Sequence, residues 1–212
     1  MRKYVLMIIM LLTWQSSFGQ TQHAFKLGLN YSDIAGQVDY DKWKLGYNIG
    51  FVEGFAISRN FEIQAEISYS TKGAISTLIW TNEFGNEMGT FDIVYSYGYI
   101  EFPVLAKYNF VAGDKNGLGL LFGPHISFLT IAHWRIAEPE KLEIVDEKHD
   151  IRENTNAMDY GVISGLDYEF SLSRIDMFVD VRYSLGLNSL SKFSDWSWSH
   201  HQLISSSIGI RF

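Results

Sequence analysis

The chain closes on Leu203-Ile-Ser-Ser-Ser-Ile-Gly-Ile-Arg-Phe212. Read at period two, Ile204, Ile208, Ile210 and Phe212 fall on one face, while Ser205, Ser207, Gly209 and Arg211 fall on the other. Ser206 is the small exception among the apolar positions. Such alternation marks a β-strand with one apolar face, because successive side chains leave a pleated backbone on opposite sides. An aromatic last residue still in phase suggests a strand that seals a sheet.

Working back from it, seven further segments alternate in the same way. In residues 24–32, Phe25, Leu27, Leu29 and Tyr31 oppose Lys26, Gly28 and Asn30. Residues 43–57 carry Trp43, Leu45, Tyr47, Ile49, Phe51, Phe55 and Ile57 on one face, interrupted by Glu53. We read Val52-Glu53-Gly54 as a bulge or as a position at headgroup level, since a carboxylate facing mid-bilayer is costly. Residues 61–71 show the pattern most clearly, with Phe61, Ile63, Ala65, Ile67 and Tyr69 against Glu62, Gln64, Glu66, Ser68 and Ser70. The remaining segments are 94–110, 117 to about 132, 157–172 and 175–187. Each is near or above the roughly 9–11 residues a tilted membrane strand needs.

The connections alternate long and short. Short ones are Ser58-Arg-Asn60, Ala112-Gly-Asp-Lys-Asn116 and Ser171-Leu-Ser-Arg174. Long polar ones are expected after residue 32, from Lys72 to about Asp92, from Trp134 to about Asn156, and around Trp196, Trp198, His200 and His201. This parity predicts an all-β, eight-stranded antiparallel up-and-down transmembrane β-barrel, with short turns and both termini on the periplasmic side. In that topology Trp43, Tyr69, Tyr97, Phe128, Tyr160 and Tyr183 gather toward the outer interface. Phe25, Phe55, Phe61, Tyr108, Phe170 and Phe212 gather toward the inner one, completing two aromatic girdles. The alternative is a soluble, secreted ligand-binding β-barrel with its apolar faces turned inward, because alternation alone does not say which face is inside.

Composition narrows the setting. Residues 1–19 read as a secretory signal: Arg2 and Lys3, an apolar core, then Ser17-Phe-Gly19 as a cleavage site, leaving 20–212 as one barrel domain. The apolar run is shorter than the roughly 20 residues a membrane helix needs. No cysteine is present, so disulfides and a lipid-modified cysteine are excluded. A net charge of −7 argues against nucleic acid as a partner.

Several stretches resemble the PorT-like outer-membrane β-barrel family of Bacteroidetes-type bacteria. They are Lys26-Leu-Gly-Leu-Asn30, Glu66-Ile-Ser-Tyr-Ser-Thr-Lys-Gly73, Tyr99-Ile-Glu-Phe-Pro-Val-Leu-Ala-Lys107, Phe122-Gly-Pro124 and Arg182-Tyr-Ser-Leu-Gly-Leu187, with the Phe212 end. The resemblance spans essentially the whole mature chain and implies a small outer-membrane barrel. It implies membrane lipid, lipopolysaccharide and the outer-membrane assembly machinery, through the C-terminal strand, as partners. The family's name comes from a member linked to protein secretion, but no residue here encodes that link.

Candidate chemistry is sparse. Eight strands enclose an interior filled by side chains, so the inward polar set Glu62, Glu66, Glu101, Lys107, Asp167, Asp180, Arg182 and Arg211 reads as a paired lumenal core rather than an ion path. His125 and Ser127 share one strand face, the pairing a base-activated nucleophile would need, which would suit a lipid-active acyl hydrolase. Both are expected to point inward, away from acyl chains, and no third member is assignable. His200 and His201 are adjacent, hence on opposite faces of a strand and poor joint metal ligands. The carboxylates between Glu138 and Glu153 fit no EF-hand spacing. The reading is a non-enzymatic outer-membrane scaffold or interaction protein with four outer loops and no cofactor.

Overall fold

Among the described residues of the computed structural model, alternating, β-branched and aromatic-rich segments pair into nine antiparallel strands. They are β1 (Thr21–Gly36), β2 (Lys42–Ala56), β3 (Phe61–Thr81), β4 (Glu87–Asn109), β5 (Gly117–Ala137), the two-residue β6 (His149–Asp150), β7 (Met158–Leu172), β8 (Ile175–Gly186) and β9 (Ser199–Arg211). The structure describes residues 21–36, 40–110, 116–137, 148–192 and 199–212. The expected signal, most of the 112–116 turn, the acidic stretch 138–147, and Trp196 and Trp198 lie outside the described residues.

Eight of these strands run in the order β4-β3-β2-β1-β9-β8-β7-β5, and β4 pairs back onto β5, so the sheet closes on itself. Closure removes every free edge except at the ends, which is how a barrel satisfies its backbone without water. The closing strand pairs with β1 from Ala24↔Arg211 to Gly36↔Ser199, and the Phe212 amide donates to the His23 carbonyl at 2.9 Å.

The apolar faces point outward. Phe25 is 62% exposed and Phe122 58%, whereas Lys107 is 0% and Asp167 2% exposed. Phe102, Val179 and Ile208 all lie on the outer surface. A water-surrounded barrel would reverse this arrangement, so the soluble alternative is set aside: this exterior suits hydrocarbon.

Four expectations are corrected. Residues 72–92 are not a long loop, because β3 and β4 stay paired to Thr81↔Glu87 around the turn at 82–86. The run Ala74-Ile-Ser-Thr-Leu-Ile-Trp-Thr81 has the β-branched and aromatic content of a strand. Gly85 at φ 78 supplies the turn, and the Asn82 side chain accepts from the Phe84 and Asn86 amides.

Secondly, of the two readings of Val52-Glu53-Gly54 the bulge falls away, since register there is continuous on both sides. The β2 irregularity lies between Trp43 and Asn48, and a second one in β5 skips Thr130 between the pairs Gly98↔Ile131 and Tyr99↔Leu129. Glu53 meets the cross-strand neighbour His23, Nδ1 to Oε2 at 2.7 Å, beside Phe51 and Phe212. Thirdly, β1 and β9 extend beyond their expected limits, so Asp33, His200 and His201 sit in strands. Fourthly, Tyr97 does not face the outer interface. It shares the phase of Tyr99 and Glu101 and is buried inside the barrel, as strict alternation requires.

Candidate functional site

The lumen holds the molecule's polar chemistry, and period two places it there. At the end of the barrel that carries Thr21 and Phe212, Lys107, fully buried, contacts Asp167 and Glu169. Arg211 reaches Glu169 at 2.5 Å, contacts Gln22, and lies 5.5 Å above the Phe178 ring. Glu62 is buried and accepts from Gln64 at 3.0 Å.

At mid-height Glu66 receives the Lys26 ammonium at 2.5 Å and the Arg182 guanidinium at 2.9 Å, and Arg182 also donates to Asp180 at 2.8 Å. Asp167 and Asp180 are direct cross-strand neighbours. Two carboxylates so placed repel, and each is drawn toward a different cation, Lys107 or Arg182. Opposite Arg182 stands Gly165, where a Cβ would come within 2.9 Å of the Arg182 Cγ, so the glycine makes room for the guanidinium stem. Beside these ion pairs Asn30 donates to Ser70 and accepts from Asn48, which in turn accepts from Ser207.

Toward the opposite end Lys72 pairs with Glu101 at 2.6 Å and Asp159 at 3.7 Å, and it sits 5.2 Å from the Tyr99 ring centre. His125 and Ser127 lie 3.1 Å apart through Nδ1 and Oγ, and the other ring nitrogen faces Ser184 at 3.2 Å. Both residues are buried, Ser127 completely. His201 is also buried, with Nε2 3.2 Å from the Tyr99 hydroxyl.

Above this level the interior turns apolar: Ile34, Ala74, Tyr97, Tyr99 and Ala132 pack together, with Tyr40, Tyr95, Ile151 and Leu190 against them. Burial, and then the neighbouring Tyr95 and Asp33, push the Tyr40 phenol up to about 12. Between this apolar cluster and the ion pairs around Lys107 the lumen retains a cavity of about 30 Å³, lined by Lys26, Asn30, Asn48, Glu101 and Arg182 among others. That is room for a water or two, not a conduit.

Of the eight polar residues singled out from sequence, Glu62, Glu66, Glu101, Lys107, Asp167, Asp180 and Arg182 are buried, and Arg211, half-buried, reaches Glu169. Four further charged residues join these ion pairs: Lys26, Lys72, Asp159 and Glu169. Lys26, Asp159 and Glu169 were already in the inward phase. Lys72 was hidden by its assignment to a loop, although Ser70, Lys72 and Ala74 continue the period.

On the outer surface, Phe25, Phe61, Tyr108, Phe128, Tyr160, Tyr183 and Phe212 are exposed, while Trp43, Phe55, Tyr69 and Phe170 are half-exposed. Neighbouring rings meet as Tyr31–Trp43 at 5.1 Å, Tyr47–Tyr69 at 6.1 Å, Phe25–Phe212 at 5.5 Å and Tyr168–Phe170 at 6.2 Å.

Residues 15–192 match the family described as outer membrane protein beta-barrel domain. No curated protein matches the chain. Among solved structures, the chain is similar to a major outer membrane protein from Thermus thermophilus at 11% identity, covering 91% of this chain and 99% of that one, with a TM-score of 0.51. It is also similar to Neisserial surface protein A, at 11% identity, 90% and 97% coverage and TM-score 0.47. The attachment invasion locus protein of Yersinia pestis shows 11% identity, 91% and 99% coverage and TM-score 0.47. Likeness at these identities is a likeness of fold.

Proposed function

Because the chain belongs to the outer membrane protein beta-barrel domain family, we propose that this outer-membrane barrel is a non-enzymatic scaffold or interaction protein, resembling the PorT-like group, that presents its outer end to a partner. One observation carries the reading. The β3–β4 ribbon runs past the last pairings to β2, at Lys42↔Ile75, and to β5, at Asp92↔Ala137. It bears the exposed side chains Leu78, Ile79, Trp80, Phe84 and Met88. A solvated hairpin has no reason to keep five large apolar groups in water unless something covers them.

In this reading residues 1–19 are a cleaved signal, both termini are periplasmic, and the Phe212 strand is what the assembly machinery recognises. The lumenal charges serve as a structural core. The exposed rings anchor the barrel at the two interfaces and contact membrane lipid and lipopolysaccharide. Crosslinking in cells from a photoreactive residue at position 84 tests the role. A discrete protein adduct is expected, lost when the ribbon is trimmed to a short turn. Labelling of lipid alone would refute it.

The acyl-hydrolase alternative draws on the 3.1 Å His125–Ser127 contact. It has against it a hydroxyl with no exposed surface, inside a wall that acyl chains do not cross. Ser127→Ala is expected to leave the lipid A acyl profile of cells unchanged.

A further inference from the structure

A concavity of about 300 Å³ opens in the wall where β2, β3, β4 and β5 adjoin, lined by Lys44, Tyr47, Tyr69, Ser96, Gly98 and His133 among others. Register places it on the outer surface. Lys72 and Tyr97 are cross-strand neighbours buried in the lumen, so Thr71 and Gly98, one step away, face outward, as do Ser96 and its neighbour His133.

Its shape has local causes. Gly98 and Ser96 offer almost no side chain, and the Tyr69 hydroxyl lies across Gly98, 2.4 Å from where a Cβ would stand. The two wall irregularities flank it at this height. Thr71 Oγ1 accepts from the Tyr47 amide at 2.8 Å beside the β2 irregularity, and Thr130 Oγ1 donates to the Gly98 carbonyl at 2.8 Å beside that of β5. Bulges of this kind re-aim side chains and gather near binding sites. Below the groove lie Tyr47 and Tyr69, the start of the outward apolar band. Above it stand Lys44, His133 and Arg135.

These cations act on one another. Burial, then Lys148, Lys44 and Arg135, lower the His133 imidazole against the opposing pull of Asp150. Asp150 is itself held by Arg152 at 2.6 Å. A cationic rim over a tyrosine-floored groove at the top of an apolar band matches one kind of ligand: an anionic head above, hydrocarbon chains below.

We infer that this groove binds the phosphorylated glycolipid of the outer leaflet, with Lys44, Arg135 and His133 at a lipid A phosphate and Tyr47 and Tyr69 against the first carbons of its chains. This rests on the outward orientation of the β3–β4 end proposed above. A phosphate there forms charge-assisted contacts that no acyl chain could replace.

Native mass spectrometry of the full mature protein, released from detergent after incubation with lipid A, phosphatidylglycerol or inorganic phosphate, tests it. Lipid A should be retained in preference to phosphatidylglycerol. Lys44→Gln with Arg135→Gln should cut retention roughly tenfold, about one charge-assisted contact, without altering the heat-modifiable gel shift. By NMR, His133 should titrate at higher pH with lipid A bound. Equal retention of phosphatidylglycerol, an equal His133 shift with inorganic phosphate, or a double variant that binds like the parent would overturn the assignment. Orientation is read separately, by labelling Phe84→Cys on intact cells. A protected cysteine would overturn the orientation and the groove together, whereas an accessible cysteine without lipid A preference would overturn the groove alone.

Discussion

Strands β3 and β4 live in two environments along their length. From Phe61 to Lys72 and from Tyr97 to Asn109 they are wall, hydrogen-bonded on both sides, with Glu62, Glu66, Lys72, Glu101 and Lys107 packed into a closed interior. From Ser76 to Thr81 and from Glu87 to Phe91 they pair, among the described residues, only with each other. The same backbone ladder runs through both halves. What differs is what stands behind it: paired buried charge below, water and exposed apolar groups above. The lower half is therefore expected to hold the stability and the upper half the recognition, since two-stranded ribbons are marginal by themselves.

The largest effect should come from unbalancing the interior. Arg182→Ala leaves Glu66 and Asp180 short of their shared cation, at an expected cost of about 3–5 kcal/mol. Denaturant unfolding in detergent, followed by the gel shift, measures it. Glu66→Gln should fall in the same direction by less, because one neutral acceptor remains for Lys26. Should neither variant lower the midpoint, the lumen is not what supports the wall.

Trimming the ribbon above Ile75 and Asp92 sharpens the contrast from the other side. Its loss should change the barrel's unfolding free energy by no more than about 0.5 kcal/mol, as for surface changes generally, while abolishing any crosslink made from position 84. A large destabilisation would mean that the two halves fold as one unit.

Acid should separate the halves without any deletion. At the ribbon's base the Thr77 hydroxyl donates to Asp92 at 2.7 Å and Lys42 pairs with it at 2.9 Å; the Thr77 bond first, then Lys42, hold that carboxyl below its usual range. A carboxyl depressed in the folded state stabilises fully above its unfolded value, about 3.9, and loses that contribution as pH falls through the folded one. Amides near Thr77 should thus exchange faster below about pH 4, while those of residues 61–70 keep their protection. Asp92→Asn should remove the pH dependence.

The smallest effect belongs to the tip. Phe84→Ser or Trp80→Ala should shift unfolding by less than about 0.5 kcal/mol, measured as above, yet weaken partner capture.

Legibility differed along these same lines. Residues 61–71 were read residue by residue, because Phe61 to Tyr69 alternate without a break and alternation is a property of the local backbone. The extension beyond Lys72 was missed because Gly73, Gly85 and Gly89 suggest a loop, although Gly73 is paired within the ladder. The aromatic character of Tyr97 suggests an interface, whereas its phase puts it inside, where it is buried. Glu53 was flagged, but its partner lies on another strand, 30 residues away.

By itself, then, the sequence determined most strands of the wall and which residues of each share a face, since period two needs no knowledge of neighbours; which of the two faces meets hydrocarbon was settled by the closed ring. The tertiary structure decided who meets whom. Lys26 and Arg182 converge on Glu66 across 40 and 116 residues of chain. The groove beneath Lys44 and His133 exists because irregularities in two separate strands fall at one height. Both depend on how far each strand is staggered against the next as the sheet closes, and that stagger is set by the ring as a whole.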